Sequence, residues 1–279
     1  MSERPAASDW VGARGQKWSA QLDEMEATLS PVDAPLIEAL RLEGPARIAD
    51  IGCGGGGATR AVARQAAAGS VVQGFDISPT LVELARGRAR REERTLAFDV
   101  ADAATFVPRA PYDRLVSRFG VMFFDAPHAA FGNLVRWLEP WGRFAFAVWG
   151  GASDNPWLTT VRDEVARVVE VPSAAPDAPG PFRYEDADRL LALLDEAGFS
   201  ELEVQDFRGS LPIGGGLAAA EAAQFALASF SSFRELLAAA GPDAHADVHR
   251  SLTDRYRQHE RDGSVYMGAL VRIFSGTRR

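Results

Sequence analysis

The chain has 279 residues, 47% hydrophobic and 24% charged, with 30 basic against 38 acidic residues and a formal net charge of −8. This describes a globular chain able to bury a full core as one large domain carrying a cap; it excludes a phosphate-binding basic face, so no nucleic-acid partner is expected. Cys53 is the only cysteine, which rules out an intramolecular disulfide; no apolar run reaches the length of a membrane span, and a cytoplasmic protein is expected.

Residues 1–44 carry Trp10, Trp18, Leu22, Met25 and Leu29 at roughly helical spacing, and Ser30-Pro31 interrupts the pattern before a second helix over 35–42. They read as an N-terminal helical arm whose tryptophans either pack it onto the domain or close over a ligand. An apolar strand over 47–51 then runs into Gly52-Cys53-Gly54-Gly55-Gly56-Gly57 and an alanine-rich helix over 58–67. Glycine permits positive φ and leaves bare main chain against a ligand, while the helix presents free N–H groups and a positive dipole end. Something small and polar is expected there.

A strand over 71–75 leads to Asp76, nineteen residues after Gly57, a spacing that suits a carboxylate on ribose hydroxyls. Ser78-Pro79 starts a helix over 79–91, and the basic stretch 86–94, interleaved with Glu92 and Glu93, reads as a solvated face. A strand over 95–100, a strand over 114–117, a helix over 127–138 and a strand over 142–149 complete the alternation, which means a parallel sheet with crossover helices. Its carboxyl edge receives Asp50, Asp76, Asp102, Ser117 and Trp149, and ligands of open α/β sheets bind along that edge.

Residues 150–184 interrupt the pattern with a helix over 157–169 and a proline-rich loop over 171–181. A helix over 186–197 is stopped by Gly198, a sixth strand spans 201–207 and a seventh 267–275. Two alanine- and leucine-rich helices, over 218–239 and 243–261, are split by Gly241-Pro242 between those strands. The expected organisation is an arm, 1–44, and an α/β domain, 45–279, with cap insertions at about 150–184 and 209–264.

The spacing Gly52-x-Gly54-x-x-Gly57 alone fits a nicotinamide dinucleotide as well as other nucleotides. Asp50 separates the two, because that fingerprint usually carries an apolar residue two before its first glycine, whereas an acid there suits a cationic ligand. Asp50-x-Gly52-x-Gly54 with Asp76 and Asp102 resembles the class I S-adenosylmethionine-dependent methyltransferases over about residues 45–150. Ser117-Arg118-Phe119-Gly120-Val121-Met122-Phe123-Phe124 after Tyr112-Asp113 looks like the small-molecule branch related to the ubiquinone and menaquinone methyltransferases.

The resemblance implies a Rossmann-like seven-stranded sheet flanked by helices, its last strand antiparallel between strands five and six. It implies methyl transfer from S-adenosyl-L-methionine to a small-molecule acceptor by in-line displacement. Asp76 would take the ribose hydroxyls, Asp102 the adenine N6 with the Ala103 N–H nearby, Ile77 the ring face, and Gly52-Cys53-Gly54 the methionyl end. The Ser117 carbonyl would accept from the ammonium, Asp50 would support the turn or reach the tail through water, and Trp18 would close over the site. Arg118 would bind the cofactor carboxylate, an acidic substrate, or a neighbouring aspartate.

Trp149, Asn155, Trp157 and Tyr184, with Phe182, bracket the first insertion and would form a substrate wall for an aromatic or polyketide-like acceptor. His128, opening the helix after strand four, is the candidate general base. His245 and His249 share a helix face, but no third ligand accompanies them, so no metal is expected. The rival readings are an NAD(P)-dependent oxidoreductase and a non-catalytic S-adenosylmethionine-binding protein. Oligomeric state is left open.

Overall fold

The structure, a computed structural model, describes residues 10–89, 96–172 and 177–279. Thr95, Arg90 to Arg94 of the basic stretch, and residues 173–176 of the proline-rich loop lie outside the described residues. Five apolar runs form parallel strands β1 (Arg47–Ile51), β2 (Val71–Asp76), β3 (Leu96–Val100), β4 (Tyr112–Arg118) and β5 (Leu138–Trp149). They are followed by β6 (Phe199–Pro212), the short β7 (Glu260–Arg261) and β8 (Ser264–Arg278). The order is β3-β2-β1-β4-β5-β8-β6, with β8 antiparallel to both neighbours and β7 paired to β8 alone. The last long strand therefore enters between the fifth and sixth, as the resemblance implies.

Strand order reverses between β1 and β4, which opens a crevice outside their carboxyl ends. Trp149 at the end of β5 pairs with Val271, so residues 264–270 of β8, with 208–212 of β6, run on as a ribbon beyond that edge. The ribbon carries the second insertion above the crevice. Its short hairpin partner turns at Asp262-Gly263, both at positive φ (51° and 75°), the pattern of a type I′ turn. This turn is why the helix expected to reach residue 261 stops at 257.

The helices are α1 (Ala13–Ala20), α2 (Leu22–Leu29), α3 (Asp33–Ala39), α4 (Gly57–Gln65), α5 (Pro79–Ala89), α6 (Pro127–Leu134), α7 (Pro156–Ala166), α8 (Ala187–Ala197), α9 (Ala219–Ser229), α10 (Ser231–Ala240) and α11 (Pro242–Arg257). Asp186 caps α8 by accepting from the Asp188 N–H at 3.1 Å, and Gly198, at φ 101°, ends it as its sequence predicts. The single helix expected over 218–239 is two, because Phe230 is extended (φ −96°, ψ 94°). That break sets its ring 5.8 Å from Trp157 and 5.6 Å from Phe233. Packing of α11 against α7, α9 and α10 joins the two insertions.

The arm is not separate from the rest. Thr28 accepts from the Gly214 N–H at 2.9 Å while its hydroxyl donates to the Glu24 carbonyl, so α2 meets the turn after β6. Among the described residues no helix is long and apolar enough to cross a membrane.

Candidate active site

The tips of β1, β2 and β4 are tied together by the glycine turn. Gly52 and Cys53 donate their N–H groups to the Phe75 carbonyl at 2.8 and 3.0 Å. The Gly54 N–H donates to Asp76 Oδ2 at 2.9 Å and the Ser78 N–H to Asp76 Oδ1 at 2.8 Å. Gly52 (φ 68°) and Gly54 (φ 53°) both need the left-handed region, and a Cβ on Gly52 would stand 2.8 Å from the Gly120 Cα. At Gly54 a Cβ would meet only Trp18 Nε1, at 3.9 Å, so bare backbone faces the cavity beneath that ring.

Asp50 is fully buried; its Oδ2 accepts from the Thr59 hydroxyl at 2.6 Å and its Oδ1 has no partner. Burial pushes its carboxyl up to about 7, against the Thr59 hydrogen bond and Arg118, which lower it. At the tip of β3, Asp102 accepts from the Ala104 N–H at 2.9 Å, and Asn133 of α6 holds the turn by donating to the Ala103 and Phe106 carbonyls.

Arg118 is nearly enclosed and pairs with two acids of the arm: Nη1 lies 2.7 Å from Asp33, and Nη2 bonds Glu26. Glu26 also accepts from the Gly57 N–H at 3.1 Å, so the arm itself supplies a carboxylate to the start of α4. Three carboxyl groups, Glu26, Asp33 and Asp50, thus face one guanidinium.

Above this floor lies a cavity of about 1820 Å³, against roughly 300–1,000 Å³ for an ordinary small-molecule pocket. Asp50, the Gly52-Cys53-Gly54 turn, Asp76, Ile77, Asp102, Ala103, Arg118 and Trp18 line one part of it. Phe119, Trp149, Trp157, Phe182, Phe230 and Phe233 line the rest, so the strand tips and both insertions enclose one space.

A family model for a methyltransferase domain matches residues 48–142. Over that stretch the chain is similar to methyltransferase domains. Similar proteins include the biotin biosynthesis bifunctional protein BioCD of Bordetella avium, 31% identical over 178 residues (64% of this chain, 36% of that protein). The trans-aconitate 2-methyltransferase of Methylobacterium radiotolerans is 33% identical over 146 residues (47% of this chain, 53% of that protein). The chain therefore spans about half or less of the length of these curated relatives. In fold it is similar to the YcgJ protein of Bacillus subtilis, with a TM-score of 0.56 at 14% identity, covering 90% of this chain and 98% of that one.

Four residues expected at the site stand elsewhere. Ser117, expected to act through its carbonyl, is not among the residues that line the cavity; its side chain serves the fold, the hydroxyl donating to the Ile51 carbonyl at 2.7 Å and accepting from the Gly120 N–H at 3.2 Å across the β1–β4 junction. Asn155 is fully buried and occupied: its amide donates to the Gly150, Gly151 and Leu270 carbonyls and accepts from Leu270 and from the Trp157 indole. Tyr184 is core, fully buried beside Phe131, with its phenol pushed by burial up to about 12. His128 is exposed beside Glu196, with Nδ1 at 3.3 Å, and none of the four histidines lines the cavity.

Glu26, Asp33, Phe230 and Tyr256 belong to the cavity or its floor and were not foreseen. The signal for the first two was Arg118 itself, since a guanidinium at the end of a buried strand requires carboxylate partners. Among the described residues no group of three His, Cys, Asp or Glu side chains could hold a metal ion.

Proposed function

We propose that the protein is an S-adenosylmethionine-dependent methyltransferase that passes a methyl group to a small-molecule acceptor by in-line displacement. The observation that carries this reading is the single cavity joining the acid-lined strand tips to the aromatic wall under the insertions. Two reacting molecules can meet there without leaving the protein.

The residues present fit this cosubstrate. Each oxygen of Asp76 uses one lone pair on a backbone N–H, which leaves acceptor capacity for a diol. The unpartnered Asp50 Oδ1 and the surplus of carboxyl groups over Arg118 suit a cationic ligand. In this reading Asp76 takes the ribose, Asp102 and Ala103 the adenine, Ile77 the ring face, and Gly52, Cys53 and Gly54 the methionyl end under Trp18. When bound, S-adenosylmethionine supplies a methyl on a sulfonium that is already an activated leaving group. The chain's own contribution is then to hold the acceptor in line and exclude water, and orientation can account for about 7–11 kcal/mol of the barrier. A cytoplasmic setting without nucleic-acid partners belongs to the same proposal, supported by the unpaired buried Cys53 thiol and the charge of −8.

Thermal melts with S-adenosylhomocysteine and with NAD test the reading. A ligand at 100 times its Kd stabilises by about 2.7 kcal/mol. The expected result is a clear rise in Tm with S-adenosylhomocysteine and none with NAD; the opposite pattern would put the oxidoreductase reading in its place.

A further inference from the structure

Past the strand tips the cavity changes character. Phe119 stacks on Trp149 at 4.1 Å and 8°, Trp149 meets Trp157 at 4.6 Å, Trp157 meets Phe230 at 5.8 Å, and Phe230 meets Phe233 at 5.6 Å. These five rings come from the bend after β4, from β5 and from both insertions, and form a continuous aromatic run. Such a surface favours a flat apolar ligand.

Two arginines of this lining, Arg162 and Arg183, form no ion pair among the described residues; Arg162 is exposed, whereas Arg183 is partly buried in the wall. Arg183, between α7 and α8, donates from Nη1 to the Phe124 carbonyl and lies over the Tyr184 ring, its Cζ 5.8 Å from the centroid. Among the described residues it has no carboxylate partner, and its Nε is enclosed without a hydrogen bond. Arg189, which also lines the cavity, is by contrast paired with Asp177. With Nη1 engaged, Nε and Nη2 remain as the side-by-side N–H edge of the fork, which matches a carboxylate bidentately. A second enclosed polar atom without a partner, the hydroxyl of Tyr256 on α11, belongs to the same cavity's lining.

We infer that the acceptor is a flat, apolar small molecule bearing a carboxylate, its body along the run from Phe119 to Phe233 and its carboxylate on the free edge of Arg183. The Tyr256 hydroxyl is a further donor toward the same molecule, and burial keeps it protonated. This inference rests on the methyl-transfer reading and names the class of acceptor.

The test titrates 2-naphthoate and its uncharged counterpart 2-naphthamide into the full chain with saturating S-adenosylhomocysteine, following tryptophan fluorescence. In the wild type the carboxylate should bind about 10- to 100-fold more tightly than the amide. Arg183→Gln should abolish that preference, with unchanged circular dichroism and S-adenosylhomocysteine affinity, and Trp157→Ala should weaken both probes. Should the glutamine variant not fold, Arg183→Lys, which keeps the charge without the fork, should still lose most of the preference. Equal affinity for the two probes, no affinity for either, or a preference that survives at Arg183→Gln would overturn the inference. A wild type that fails to bind S-adenosylhomocysteine would overturn the methyl-transfer reading instead; the same probes without it would still decide whether Arg183 selects a carboxylate.

Discussion

At the scale of the residue, Asp76 braces the turn and, under the proposed function, also takes the ribose. Its carboxylate holds the Gly54 and Ser78 N–H groups, and burial raises its pKa while those two donors lower it. Asp76→Ala should therefore weaken S-adenosylhomocysteine binding by about 10- to 100-fold and also lower stability by about 1–3 kcal/mol, because two buried donors lose their acceptor. A side chain placed only at an open strand tip would show the first effect and not the second; calorimetry with urea denaturation separates them. Asp50 makes a pH prediction. Its folded pKa is about 7, against about 3.9 for an unfolded aspartate. Between those values the folded chain binds more protons than the unfolded one, so the stability associated with this proton is intact at low pH and is lost as pH rises toward 7. Asp50→Asn keeps an acceptor for Thr59 without titrating. Its Tm relative to wild type should climb across that window and level off above it, and a flat difference would show that Asp50 ionises freely in the fold.

At the scale of the element, the arm is fastened to the sheet through charge. Arg118 has 7% side-chain exposure, and Glu26 and Asp33 have 17% and 16%, so the three groups are largely withdrawn from water. Removing one partner of such a cluster costs about 3–5 kcal/mol, because the remaining charges lose their compensation. Arg118→Met should show a loss of that order in urea denaturation. Adding Glu26→Gln and Asp33→Asn to the same chain should restore much of it, whereas purely additive losses would mean that the arm is held by packing alone. Since Glu26 also accepts from Gly57 at the start of α4, loosening the arm should weaken S-adenosylhomocysteine binding as well.

At the scale of the whole molecule, the cavity is shared by the sheet edge, the arm and both insertions, and under the proposed function catalysis should follow the wall more than any single base. Trp157 is partly exposed to the cavity and bridges Trp149 to Phe230. Trp157→Ala should cut turnover strongly. His128→Ala should fall well short of the roughly 10²–10⁴-fold loss typical of a general base, because that ring stands outside the cavity. Steady-state rates with a labelled methyl donor and an accepted substrate compare the two; a large loss at His128 beside a near-normal Trp157 variant would reverse the assignment. Trp149→Ala and Tyr184→Ala are poorer tests, since both side chains are buried and their truncation costs about 3–5 kcal/mol of stability.

The sequence by itself determined the order of strands and helices, the glycine turn, and the acids at successive strand ends. Each of these is written in local periodicity and in spacing between neighbouring elements, as with Asp186 and Gly198 bounding α8. Only the tertiary structure decided which polar side chains look into the cavity. Asn155, Tyr184, Ser117 and His128 sit where sequence position allows a site residue, but their orientation depends on partners far along the chain: Asn155 on Leu270, Tyr184 on Phe131, His128 on Glu196. The same holds for the residues that took their place. Arg118 meets Glu26 across 92 residues and Asp33 across 85, and Phe230 leaves the helical path where its ring reaches Trp157. A buried charge or an aromatic ring is placed by the packing and electrostatics of distant segments, and no local pattern carries that information.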